Sequence, residues 1–199
     1  MNSLDRILAL SDGPVRTAAL VSWLQGLYGT NEKKPILVGG AAVELYTGGA
    51  YTTGDLDFVG TVPPAVASAL KKAGFERRGR HWIHEIGEIF LEFPSSDLDS
   101  GEDSVVLEVE DQRVVVIDPE ALIADRLAAW QVWKSPEDAI NAWLITRGRR
   151  LDLKRVEALA EAKGVSAAAR ALADVVGRWQ DVDPAREELV GWAQTFPDG

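Results

Sequence analysis

The chain contains no cysteine, which excludes disulfides, thiolate zinc sites and cysteine nucleophiles outright. It has two histidines, His81 and His84, at i and i+3 in a segment that reads as extended, so they project to different faces. With Glu85 they fit neither helical zinc arrangement, and they read as surface residues. No apolar run approaches the ~20 residues needed to cross a bilayer, and the N-terminus lacks the layout of a signal peptide. A soluble, cytoplasmic protein with no membrane association is the expectation. Positive charge is scarce: 21 Lys and Arg stand against 31 Asp and Glu, a net charge of −10. That balance argues against broad non-specific nucleic-acid binding. Two local basic runs, Lys71-Lys72 with Arg77-Arg78-Arg80 and Arg147-Arg149-Arg150 with Lys154-Arg155, read as solvated surface.

What is present is concentrated between residues 35 and 59. A hydrophobic strand, Pro35-Ile36-Leu37-Val38, runs into Gly39-Gly40 and an amphipathic segment, Ala41–Tyr46, that Gly48-Gly49 stops. A second strand, Asp55-Leu56-Asp57-Phe58-Val59, carries carboxylates at i and i+2. Side chains alternate across a strand, so Asp55 and Asp57 share one side and Leu56 and Phe58 the other. Aspartate is disfavoured in strands, and two on one face repel unless a cation lies between them. Divalent metal is the usual cation in such a place, magnesium or manganese for hard carboxylate ligands. Paired glycines at a strand-to-helix turn let backbone N–H groups approach a phosphate closely. Metal with phosphate points to a nucleotide, with Thr53 as a nearby hydroxyl donor.

Two carboxylates seldom complete such a site. Strand Ile89–Phe93 offers Glu92, an ionisable residue in an otherwise apolar run, which must face either solvent or metal. Glu88 is its nearest rival, and Glu108 is weaker because Glu110 marks that strand as an exposed edge. Glu92 is favoured as the third catalytic and metal-binding residue beside Asp55 and Asp57. Asp97-Leu98-Asp99 repeats the tripeptide, but in a Pro/Ser/Gly loop with no strand to fix it, and Gly101 misses the calcium-loop position.

Hydrophobic periodicity divides the chain near Asp118-Pro119. Residues 1–118 read as an α/β core, with helices over Leu4–Leu10, Val15–Leu27 and Pro63–Ala73. Short strands are expected at Phe75–Arg78, Trp82–Ile86 and Ile89–Phe93, a polar loop at Pro94–Ser104, and a hairpin at Val105–Val109 and Arg113–Ile117. Residues 119–199 read as helical, broken at Ser135-Pro136, Gly148, Gly164 and Asp183-Pro184. The predicted fold is a mixed α/β sheet followed by a C-terminal helical region that completes a cleft. Trp130, Trp133, Trp143, Trp179 and Trp192 read as core and interface anchors.

The run GGAAVELYTGGAYTTGDLDFV resembles the signature of the DNA polymerase β-like nucleotidyltransferase superfamily, a Gly-Gly turn followed by an Asp-x-Asp strand. The threonine just before the acidic strand resembles the AbiEii-type and related bacterial members, some of which are toxins of toxin–antitoxin pairs. The resemblance covers the chain in order, its specificity lying in the glycines and the acidic strand. It implies a metal-dependent enzyme moving a nucleotidyl group from a nucleoside triphosphate to a hydroxyl of an RNA such as tRNA, a protein or a small molecule. For a toxin-like member it implies an antitoxin partner. Asp118–Leu127 resembles a segment where that group often has Lys before Leu; here Arg126 stands there and would serve the nucleotide phosphates. Glu137-Asp138-Ala139-Ile140-Asn141 resembles a Lys-Asp-x-x-Asp helix of which only Asp138 survives. Asp138 thus joins the candidates, although a carboxylate in a helix's first turn also simply complements the dipole. Tyr51 stands in the region where the group often has Arg. These departures leave a second expectation open, a catalytically weakened relative that binds nucleotide or a partner.

Overall fold

The computed structural model describes residues 3–180 and 182–197. The chain forms two compact units that meet in sequence between Ile117 and Asp118.

The first unit carries α1 (Ser3–Leu8), α2 (Pro14–Gln25), β1 (Ile36–Val38), α3 (Gly39–Thr47), β2 (Asp55–Val59), α4 (Pro64–Lys72), β3 (Glu76–Arg78), β4 (His81–His84), β5 (Ile89–Ser95), β6 (Ser104–Val109) and β7 (Gln112–Ile117). The strands make one mixed sheet in the order β3-β4-β5-β2-β1-β7-β6. β2 sits near its centre, antiparallel to β1 and parallel to β5. Alternation decides which face each residue takes. Leu56, Phe58, Ile89 and Leu91 are buried, which leaves Asp55 and Asp57 on the opposite face of β2.

Gln25 is buried at the end of α2 and ties that helix to the sheet. Its amide donates to the carbonyls of Pro35 and Val115, both at 2.8 Å, and accepts from the Val115 N–H at 2.9 Å. A buried amide needs such partners, and here they fix where β1 and β7 lie beneath the helix.

Most element limits differ from the sequence expectation by one or two residues, and two of the differences bear on the site. Helix α3 begins at Gly39 itself, because the glycine pair supplies the first turn and not a preceding loop. Strand β5 runs on through Pro94 and Ser95, where a loop was expected. Proline gives no N–H to a ladder, and the β2–β5 register shifts between Asp57 and Val59. The strand survives the interruption because the Gly60 N–H donates to the Ser95 carbonyl at 2.9 Å.

The second unit contains α5 (Pro119–Trp133), α6 (Pro136–Thr146), α7 (Leu153–Ala162), α8 (Ser166–Arg178) and α9 (Arg186–Ala193). Asp118 caps α5: one carboxylate oxygen accepts from the Ala121 N–H at 3.0 Å and the other from Arg155 at 2.9 Å. Lys134, in the left-handed region at φ 54°, ends α5 before Ser135-Pro136. Indoles fill the core of this unit. Trp130 is fully buried and its N–H donates to the Ala193 carbonyl at 2.7 Å. Its ring lies 4.9 Å from Trp192, and Trp179 meets both Trp143 and Trp192 edge-on. Trp133 departs from the expected core role. It is 80 % exposed, because the last turn of α5 carries it past the packed face. Among the described residues, no helix is long and apolar enough to cross a membrane.

Candidate functional site

Strand pairing builds a row of side chains across four strands. Val38 of β1 is registered with Asp57 of β2, Asp57 with Glu92 of β5, and Glu92 with His81 of β4. Registered residues share a face, so Asp57, Glu92 and His81 lie side by side. Asp55, two residues before Asp57 and opposite Phe90, is on the same face. Asp55 is exposed, while Asp57 and Glu92 are half-buried. Three carboxylates named from the sequence are therefore neighbours on one open face of the sheet.

The glycine pair is fitted to this row. Gly39 has φ +67°, a left-handed conformation that L side chains rarely adopt, and a Cβ there would strike the Asp57 carboxylate. Gly40 is crowded differently: a Cβ would lie 3.2 Å from both Cβ and Oγ1 of Thr53. The close approach that glycine permits at this turn is thus made by Asp57 and Thr53 themselves. The Asp57 carboxylate stands over the first residue of α3, the positive end of that helix's dipole.

Glu92 faces neither solvent nor a metal alone. One of its oxygens accepts from Arg80 Nε at 2.7 Å, and the other lies 3.2 Å from His81 Nε2. Among the described residues, no three His, Asp or Glu side chains are arranged to hold a metal ion. Carboxylate oxygens are the right donors for magnesium or manganese, and Asp55 with Asp57 fits that chemistry. Glu92 is instead engaged by Arg80 and His81. The other histidine corrects the surface expectation. His84 is buried, its Nδ1 accepting from the Gly87 N–H at 2.9 Å and its ring 5.1 Å from Phe75.

Arg126 and Asp138 lie in the helical unit, where they bond to one another at 2.9 Å. The pairing gives Asp138, in the first turn of α6, a counter-charge as well as a dipole. It leaves the Arg126 Nε buried with no acceptor.

Beside Asp55 the first unit holds a cavity of about 530 Å³ whose lining includes Thr52, Thr53, Gly54 and Glu44 of α3. The sequence reading passed over Glu44. The signal was there, a carboxylate inside the apolar helix Ala41–Tyr46. Glu44 is 2 % exposed, and burial pushes its pKa above the ordinary glutamate value. Hydrogen bonds from the Thr17 side chain and the Thr53 backbone pull it partly back.

A raised carboxyl pKa means that the folded chain holds this proton to higher pH than the unfolded chain does. Stability is therefore lost as pH rises from the ordinary glutamate range through the folded value. Glu44→Gln removes that penalty. The variant should be more stable than wild type at pH 7.5, by on the order of 1 kcal/mol, and the gain should vanish near pH 4. Paired thermal melts at the two pH values measure it.

No protein-family model and no curated protein matches the sequence. The fold is similar to that of a solved structure described as an antigenic nucleotidyltransferase-like protein from Paracoccidioides brasiliensis. The TM-score is 0.50 with 17 % identity, over 92 % of this chain and 94 % of that one. The chain has a nucleotidyltransferase-like fold: a seven-strand mixed sheet followed by a helical region.

Proposed function

We propose that this protein is a metal-dependent nucleotidyltransferase, moving a nucleotidyl group from a nucleoside triphosphate to a hydroxyl of an RNA, a protein or a small molecule. The observation that carries the reading is the pair Asp55 and Asp57 on one face of β2, with Asp57 seated on the Gly39-Gly40 turn. The fold is of the type on which that chemistry is expected.

In this reading the backbone at Gly39-Gly40 and the Thr53 hydroxyl hold the triphosphate. Asp55 and Asp57, joined by Glu92, would hold magnesium or manganese, which when bound polarises the α-phosphate and eases loss of the acceptor proton. The acceptor oxygen bonds to the α-phosphorus as the bond to the pyrophosphate oxygen breaks. Glu92, freed from Arg80 and His81, takes the hydroxyl proton. In the toxin-like version of this reading, an antitoxin would cover the same face.

A second reading has its own support. Glu92 and Arg126 are both engaged in ion pairs, which suits a relative that keeps the fold and binds nucleotide or a partner without turnover. The deciding experiment is incubation of the protein with each α-labelled nucleoside triphosphate, with magnesium or with chelator, against tRNA, protein and small-molecule acceptors. Label transfer that chelator abolishes supports the enzyme. Nucleotide binding without transfer to any acceptor supports the second reading.

A further inference from the structure

The two edges of the sheet are finished in opposite ways. At one end lies β3, three residues long, Glu76-Arg77-Arg78, every one of them exposed and charged. Arg78 pairs with Glu76 and with Glu85, and the Arg77 guanidinium sits 5.9 Å from the centre of the Trp82 ring. A short edge crowded with charge discourages a further strand from pairing there.

At the other end lies β6, six residues long with the sequence Ser-Val-Val-Leu-Glu-Val. It has no proline, glycine or lysine, and its register with β7 runs without a bulge from Ser104 to Val109. Its one charge, Glu108, pairs with Arg113 of β7 at 3.4 Å. Val105 and Leu107 are registered with Val116 and Val114, both fully buried. They therefore carry the core face of the sheet out to its rim. Val105 is still 39 % exposed there, and Val106, on the opposite face, is 54 % exposed. Among the described residues no strand lies beyond β6, and every second residue of an edge strand turns its N–H and C=O outward. The devices that protect β3 are missing here.

We infer that β6 is the interface of a homodimer, two copies pairing antiparallel through it to make one continuous sheet. A second copy is the occupant because the strand is complementary to itself. The two-fold axis of such a pair runs perpendicular to the sheet, so one residue must face its own counterpart. With Val106 at the axis, Val106 meets Val106, Val105 meets Leu107, and the Ser104 hydroxyl can donate to Glu108. Apolar residues then oppose apolar residues on both faces, and the two Glu108 carboxylates are held apart. Moving the axis to Leu107 sets Val106 against Glu108, and moving it to Val105 sets Leu107 against Asp103. Val106 is the register that the side chains favour. Pairing consumes both β6 edges and leaves only the charged β3 edges, so assembly closes at two. The inference goes beyond the nucleotidyl reading and does not rest on it, since β1 and β7 separate β6 from β2.

The test uses the full chain. Sedimentation velocity over a concentration series should show reversible exchange between monomer and dimer. Val106→Lys, a change at an exposed site, should raise the dimer Kd about tenfold or more, and Arg78→Ala on the other edge should leave it unchanged. The chain has no cysteine, so single thiols report the register. Val106→Cys should be oxidised by diamide to a covalent dimer, because antiparallel partners hold their Cα atoms ~4.5–5.5 Å apart, within disulfide reach. Glu108→Cys should not cross-link, since its counterpart is displaced four residues along the strand, about 14 Å. A wild-type chain that is monomeric at every concentration leaves the edge to a strand of another protein and overturns the inference. So does a dimer that Val106→Lys leaves intact, an open-ended polymer in place of a dimer, or a Glu108→Cys chain that cross-links as readily as Val106→Cys.

Discussion

On the proposed nucleotidyltransferase reading, Asp55→Ala and Asp57→Ala should each lower transfer by about a hundredfold to a thousandfold or more, while the protein stays folded. Both side chains lie on the open face of β2, and the buried side of that strand is Leu56 and Phe58. Neither substitution therefore opens a cavity in the core, and each unfolding free energy should fall within about 1 kcal/mol of wild type. Relief of repulsion along the acidic row acts in one direction. For Asp57, loss of a carboxylate from the positive end of α3 acts in the other. The measurement is transfer activity and thermal melting on the same preparations. A variant that keeps full activity refutes the role of its carboxylate. A variant that loses activity only because it has unfolded shows a melting curve that says so.

The second large effect is on stability. Gly39→Ala should cost about 2–4 kcal/mol. The left-handed backbone accounts for ~1–2 kcal/mol in any residue with a Cβ, and the clash with the Asp57 carboxylate supplies the remainder. The two contributions separate in a double-mutant cycle. In the Asp57→Ala background the carboxylate is gone, and Gly39→Ala should then cost the backbone share plus the milder crowding against the residue-57 Cβ, 3.2 Å away. Denaturant melts on the four proteins give the coupling. If the cost of Gly39→Ala is the same in both backgrounds, the turn and the acidic strand are not in contact as described.

The parts of this fold that depend on neighbours in sequence could be read directly. Strands β1 and β2 follow from short apolar or alternating runs; β2 has the expected limits, and β1 begins one residue later, at Ile36. Asp55 and Asp57 sharing a face is a consequence of strand periodicity alone, and the helical character after Pro119 follows from spacing and proline breaks. What could not be read depends on partners far away along the chain. Glu92 was recognised as anomalous in its strand, but nothing in the sequence says that register brings His81 opposite it and Arg80 beside it. His84 looked like a surface residue because its burial comes from Phe75 and from the Gly87 turn, not from its own strand. Glu44 was visible as a charge in an apolar helix, but a cavity is a property of several elements at once. Strand β5 outlasts Pro94 because a single backbone bond from Gly60, more than thirty residues earlier, holds its end.

The contact between Gly39 and Asp57 also sets an order on inheritance. A lineage in which the acidic strand is no longer needed can lose Asp57 first, since a smaller side chain there adds no clash. Alanine at position 39 then carries chiefly the left-handed backbone cost and is more easily tolerated. The reverse sequence passes through an intermediate carrying both a Cβ at 39 and a carboxylate at 57, and that intermediate is the least stable of the four genotypes. Once alanine is established, aspartate cannot return at 57 without first restoring glycine. Loss of this site is therefore a ratchet, and a chain that still holds both residues has not yet taken its first step.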